Sequence, residues 1–170
     1  MRKRNIVNLI LLTRVLSAVY ILFDPVWGFI SSTFFDWFDW YILENKTKVL
    51  TVPQYQRWDK NVDWFMYSAM LVSGIWYGSS GLLLVLFIFK LIGHLVYLKT
   101  EDRKIFILFP NFLEGAFIWT VFLKTSGTPG LLILILLEFV KEIWMHFVKP
   151  WYIKSFGYPR FLGYKHAGTS

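Results

Sequence analysis

WFMYSAMLVSGIWYGSSGLLLVLFIFKLIGHLVYL, residues 64–98, decides the fold. From Trp64 to Phe89 it holds no acid or base apart from the phenols of Tyr67 and Tyr77, and its apolar character continues to Leu98. A single helix over these 35 residues would be about 52 Å long at 1.5 Å per residue, against a bilayer hydrocarbon core of roughly 30 Å. The chain must therefore turn. Gly78-Ser79-Ser80-Gly81 is the breaker cluster near the middle, so the stretch divides into spans over about Asp59–Tyr77 and Leu82–Leu98. Working outward, apolar runs of spanning length cover Asn5–Phe23, closed by Asp24-Pro25, and Val26–Leu43 on one side, and Ile105–Leu123 and Gly130–Val148 on the other. The polar stretch from Glu44 to Trp58 reads as a loop or a short surface helix. The expectation is one all-α membrane domain over residues 1–170 with six transmembrane helices, without linker, low-complexity segment or internal repeat.

Composition agrees. The chain is 56% hydrophobic and 17% charged, with a mean hydropathy of +0.48, whereas soluble domains carry about 25% charged residues. It has no cysteine, which excludes disulfide frameworks, thiol nucleophiles and cysteine-ligated metals. With an even number of spans, both termini and the loops at 44–58 and 99–104 share one side of the membrane. Fourteen basic residues fall there: Arg2, Lys3, Arg4, Lys46, Lys48, Arg57, Lys60, Lys99, Arg103, Lys104, Lys149, Lys154, Arg160 and Lys165; Lys124 alone falls opposite. The positive-inside rule then puts both termini in the cytoplasm and accounts for the net charge of +7 without nucleic acid. The expected location is the plasma (inner) membrane. Met-Arg-Lys-Arg before an apolar run is signal-like, but Arg14 interrupts that run and no small-residue cleavage site follows, so the segment is expected to be retained.

Ionisable groups at membrane depth are costly unless paired or wet, which makes each one a candidate for function. Asp36 and Asp39 lie i, i+3 near the cytoplasmic end of the second span, and Asp59 and Asp63 lie i, i+4 at the start of the third. Each pair shares a helix face. The two helices are consecutive and antiparallel, so hairpin packing can bring four carboxylates together. Such a cluster repels itself unless a cation lies within it. An all-oxygen site without histidine or cysteine suits Mg²⁺, Mn²⁺ or Ca²⁺. The competing interpretation is a set of wet aspartates at helix ends among interfacial aromatics such as Trp37 and Trp64.

This arrangement resembles the CDP-alcohol phosphotransferase superfamily, whose motif runs Asp, two residues, Asp-Gly, two residues, Ala-Arg, eight residues, Gly, three residues, Asp, three residues, Asp. DWFDWYILE (36–44) is similar to its first half and DKNVD (59–63) to its second. Asn5-Ile6-Val7-Asn8 and Arg14 are similar to the asparagine-rich start and arginine of the first helix in many members. Trp40 stands in place of the family's first Gly, Leu43 of its Ala, Glu44 of its Arg and Tyr55 of its second Gly, and the interval from Asp39 to Asp59 is two residues longer. The resemblance covers roughly the first 75 residues by motif and the remainder by span count. It implies transfer of a phosphatidyl-type group from a CDP-linked lipid to an alcohol with release of CMP, using Mg²⁺ or Mn²⁺. Asp36, Asp39 and Asp59 would be metal ligands, and Asp63 the general base and a further ligand. It also implies a homodimer. The four replaced motif positions leave open a catalytically lost member serving as a binding or assembly subunit.

Other buried polar groups form a second tier. Arg14, halfway along the first span, either lines the active-site cavity or makes a structural salt bridge. Lys90 and His94, i, i+4 on the fourth span, are placed to bind a substrate phosphate, as is Asn8 with Arg14 near the cavity; alternatively Lys90 pairs with Glu114 or Glu138. Glu138, Lys141, Glu142 and His146 recur at helical spacing on the last span and must face protein or a cavity, not lipid. A cation or proton carrier built on these acids is a weaker third reading.

Overall fold

The structure, a computed structural model, describes residues 3–46, 49–102, 104–124, 128–148 and 151. Among these every regular element is helical. Helix α1 is Lys3–Phe23, α2 Pro25–Trp40, α3 Val52–Trp76, α4 Ser80–Thr100, α5 Ile105–Leu108, α6 Phe112–Phe117 and α7 Thr128–Ile143. Wider π-helical turns prolong α2 through Tyr41–Lys46, α6 through Ile118–Phe122 and α7 through Trp144–Val148. Arg2, Lys48, Arg103, Lys149, Lys154, Arg160 and Lys165 lie outside the described residues, as do the side chains of Trp40 and Glu44.

Local chemistry sets the corners. Asp24 caps α2, its carboxylate accepting the backbone N–H groups of Val26 and Trp27 at 3.1 Å, and Pro25 supplies a first helical residue with no N–H to satisfy. A Cβ on Gly28 would lie 2.3 Å from the backbone nitrogen of Ile21, so α1 and α2 meet here backbone to backbone. The Gly-Ser-Ser-Gly cluster turns the chain as expected. Gly78 adopts φ +74°, and the N–H of Ser79 closes α3 on the carbonyl of Gly74 at 2.9 Å.

Two boundaries differ from the sequence expectation. Helix α3 starts at Val52, not Asp59, because the N–H of Thr51 is accepted by the Gln54 side chain at 3.1 Å and Pro53 sits in the first turn. The polar stretch before Asp59 therefore becomes two turns of the same helix. The fifth span is broken at Phe109-Pro110-Asn111 into α5 and α6; proline removes an N–H and pushes the preceding residue from the helical region, and Phe109 has φ −124° and ψ 64°.

Helix α1 packs along both α2 and α3, α3 on α4, α4 on α5 and α6, and α6 on α7. Ala18, Ile21, Met66, Met70, Leu83 and Phe117 centre the main core, and a smaller one joins Ile10, Leu43 and Tyr55. The outer surface inverts the soluble pattern. On α1, Leu9, Leu12, Leu16 and Phe23 face outward while Arg14, Ser17 and Ala18 are buried. On α4, Leu84, Val85, Ile88 and Ile92 face outward while Lys90 and His94 are buried. A large apolar exterior around an interior that also holds charged groups suits an apolar solvent. Asn5–Phe23 and Gly81–Thr100 are long and apolar enough to cross a membrane, with only 28% of each window buried inside the protein. The other segments do not meet that standard on their own. α2 and α7 are short, the fifth segment is broken, and α3 carries Arg57, Asp59, Lys60 and Asp63 near its start. Six helical segments thus stand where six spans were expected, of which two qualify by length and apolarity.

The α1–α2 corner yields a direct test. Gly28→Ala forces a methyl group into the backbone of Ile21 and should lower stability by about 1–3 kcal/mol, read as a fall in the thermal midpoint of the detergent-purified protein. Gly81→Ala, where an added Cβ meets open space, should leave it unchanged.

Candidate active site

The four aspartates of α2 and α3 do come together, and the element that joins them is α1. Asp36 and Asp39 project from one face of α2 and Asp59 and Asp63 from one face of α3, while α1 lies against both helices and delivers Arg14 between them. The Arg14 guanidinium meets Asp36 at 2.7 Å and Asp63 at 2.6 Å, contacts Asp39, and lies 3.6 Å from Asp59. Lys60 adds a second cation, 3.0 Å from Asp59 and 2.9 Å from Asp63. The Tyr55 hydroxyl donates to Asp39 at 2.6 Å. Asp39, Asp59 and Asp63 are buried, whereas the Asp36 side chain is 43% exposed and forms the mouth of the cluster. These are not isolated wet aspartates at helix ends.

The cation among the carboxylates is therefore, first of all, the protein's own. If all four carboxylates are ionised, Arg14 and Lys60 leave two negative charges formally unmatched, the charge of one divalent ion. Carboxylate oxygens of Asp36, Asp39 and Asp59 lie within 4.8 Å of one another. Oδ1 of Asp59 is buried and accepts no hydrogen bond, an uncompensated acceptor of the kind that a metal satisfies. These three carboxylates could hold a hard divalent ion in the place that Arg14 Nη1 now takes among them. Asp63 is placed differently from the expected fourth ligand: Arg14 binds one of its oxygens and Lys60 the other.

The second tier sorts unevenly. Arg14 is both a cavity residue and a salt-bridge partner. Asn8, six residues earlier, lies about 240° around α1 on an exposed position, so it does not join the cluster. Lys90 and His94 are both buried on the inner face of α4. Lys90 approaches neither Glu114 nor Glu138; its nearest carboxylate is Glu142 at 3.9 Å. Glu114 and Glu138 are taken by Lys141, 3.2 Å from the former. Glu142 accepts the N–H of Asn111 at 3.2 Å and pairs with His146 at 2.9 Å. Asn111, at the helix break, also donates to the Tyr67 hydroxyl at 3.0 Å.

Three participants were not foreseen. Lys60, between the two aspartates of α3, reads in sequence as one more cytoplasmic cation, although its i, i+3 spacing to Asp63 is an ion-pair signal. Tyr55, one turn before Asp59, gave no signal from its own residue type; its hydroxyl becomes part of the site. Asn111 gave little local signal: Glu114, three residues on, is one partner, but Tyr67 and Glu142 are remote in sequence. Leu43 is fully buried against Ile10 and Tyr55. Comparison with protein-family models, characterised proteins and solved structures gives no match for this chain.

Removing either neutralising group should be costly. Arg14→Met leaves buried carboxylates facing one another and should destabilise the metal-free protein by about 3–5 kcal/mol; Tyr55→Phe deprives a buried carboxylate of one donor and should cost about 1–3 kcal/mol. Chemical unfolding in detergent without divalent ions measures both, with Arg14→Met the more severe.

Proposed function

We propose that this chain is an integral membrane phosphotransferase of phospholipid biosynthesis, moving a phosphatidyl-type group from a CDP-linked lipid to an alcohol. The observation that carries this reading is the carboxylate trio from two helices, with an oxygen of Asp59 left without a donor, beside a fourth carboxylate and beneath a lipid-compatible exterior. Mg²⁺ or Mn²⁺ held by Asp36, Asp39 and Asp59 supplies positive charge to a diphosphate and to the charge that develops as it breaks. The protein groups do the rest. Asp63 takes the proton of the acceptor hydroxyl once Lys60 turns from it toward the incoming phosphate, and Arg14 holds the carboxylates in register. The acceptor oxygen forms a bond to the lipid-linked phosphorus, the bond from that phosphorus to CMP breaks, and CMP leaves.

In this reading six helices cross the inner membrane with both termini and the site on the cytoplasmic side, so that acyl chains stay in lipid while headgroups meet in water. Because the chain has no cysteine, single introduced cysteines report orientation cleanly. Lys99→Cys should react with a membrane-impermeant maleimide only after cells are opened, and Lys124→Cys in intact cells; the opposite pattern refutes the orientation.

A second reading is favoured by one specific observation: Arg14, Lys60 and Tyr55 already engage every aspartate of the cluster. A member of this fold that has exchanged catalysis for a binding or assembly role would keep its carboxylates with protein cations alone. The two readings separate in one assay. Purified protein given CDP-diacylglycerol, Mn²⁺ and a panel of alcohols, including glycerol phosphate, inositol phosphate and serine, should release CMP, with Asp59→Asn and Asp63→Asn reduced roughly 100-fold or more. No release over the panel, together with a stoichiometric partner on gentle extraction, establishes the second reading.

A further inference from the structure

The break between α5 and α6 leaves Asn111 with one polar atom unused. Its backbone N–H is accepted by Glu142 at 3.2 Å, and its side-chain nitrogen donates to the Tyr67 hydroxyl at 3.0 Å and to Oε1 of Glu114. These bonds fix which way the amide faces. Reversing it would set the amide oxygen against a carboxylate oxygen of Glu114, two acceptors face to face. Asn111 Oδ1 is nonetheless buried without a donor, on a residue only 4% exposed. Tyr67 has the complementary deficit. Its hydroxyl accepts from Asn111, but among the described residues its own proton meets no acceptor, and this residue too is 4% exposed. Buried polar atoms normally find partners, so an unused acceptor beside an unused donor points to a group that carries both functions. A hydroxyl accepts through its oxygen and donates through its hydrogen. A metal or ammonium ion cannot accept the Tyr67 proton, and a carboxylate cannot donate to Asn111.

The two unused atoms are close enough for one oxygen to serve both. The nitrogen and oxygen of a side-chain amide are about 2.3 Å apart, as its bond lengths dictate. With 3.0 Å from that nitrogen to the phenol oxygen, Tyr67 Oη lies no more than about 5.3 Å from Asn111 Oδ1. Two O–H···O hydrogen bonds through a shared oxygen reach about 5.6 Å. We propose that Tyr67 and Asn111 bind a hydroxyl group where α3 meets the broken fifth segment, the hydroxyl accepting the Tyr67 proton and donating to Asn111 Oδ1. Water and a small alcohol both carry this chemistry. The bound group completes a link from Tyr67 on α3 through Asn111 to Glu142 on α7, and it rests on no reading of the carboxylate cluster.

Crystals of the full-length protein grown from detergent without added polyol should show one ordered oxygen within about 3.2 Å of both Tyr67 Oη and Asn111 Oδ1, and Tyr67→Phe should lose it. An empty position in the wild type, an oxygen that stays in Tyr67→Phe, or a direct hydrogen bond from the Tyr67 hydroxyl to Asn111 Oδ1 with the amide reversed overturns the proposal. A solution measurement names the source within a positive result. The Trp64 indole meets the Tyr67 ring edge-on at 5.5 Å, so its fluorescence reports on this place while glycerol is titrated in. A saturable change that vanishes in Trp64→Phe and needs roughly tenfold more glycerol in Tyr67→Phe assigns the hydroxyl to an alcohol. The ordered oxygen without such a response assigns it to water. Neither result turns on release of CMP, so failure of the transferase reading leaves the hydroxyl site standing, and an empty site leaves that reading untouched.

Discussion

Four carboxylates held within a few ångströms of one another, in a bundle whose outer surface is leucine, isoleucine and phenylalanine, form the constraint to which the rest of this structure answers. Three of the four are buried, where water screens charge poorly, and the protein supplies compensating charge of its own. That requirement explains why α1 lies along both α2 and α3. Among the described residues its midpoint arginine is the group that reaches all four carboxylates. The backbone contact at Gly28 brings α1 and α2 close enough for it to do so. The capped early start of α3 then places Tyr55 and Lys60 on the same side as Asp59 and Asp63.

The same accounting separates the two polar regions of the bundle. Around Arg14, negative charge exceeds positive by two, and a buried oxygen of Asp59 has no donor; a cation is what that region lacks. Around Lys90, Glu142 is committed to Asn111 and His146 and stands 3.9 Å from the ammonium group, so that region is balanced within the protein to a first approximation. The two lie on adjoining helices with Asp63 at their border.

What the sequence disclosed follows from which interactions are local. The helices, the turn at Gly78-Ser79-Ser80-Gly81 and the shared faces of Asp36 with Asp39 and of Asp59 with Asp63 depend on spacings of a few residues and could be read directly. The early start of α3 was also local, written in Thr51, Pro53 and Gln54, but its polar composition reads equally well as a loop. The break at Pro110 was masked because hydropathy continues across it. Contacts between distant segments were not legible. The pairing of Lys90 with Glu142 instead of Glu114 or Glu138, the Tyr67–Asn111 hydrogen bond and the outward position of Asn8 depend on how the helices are rotated against one another, which no single-helix pattern determines. Lys60 shows a further limit, because a lysine at the cytoplasmic end of a span satisfies the orientation rule and the ion-pair rule alike.

The most direct measurement is binding of Mn²⁺ to the purified protein by electron paramagnetic resonance, with and without a CDP-linked lipid, in wild type and in Asp59→Asn. A divalent site among Asp36, Asp39 and Asp59 that serves a diphosphate substrate predicts one bound ion per chain, its loss in Asp59→Asn, and tighter binding when the CDP-lipid is present. Binding that ignores Asp59, or no binding at all, would show that Arg14 and Lys60 alone balance the carboxylates and would contradict the metal-dependent reading of the site.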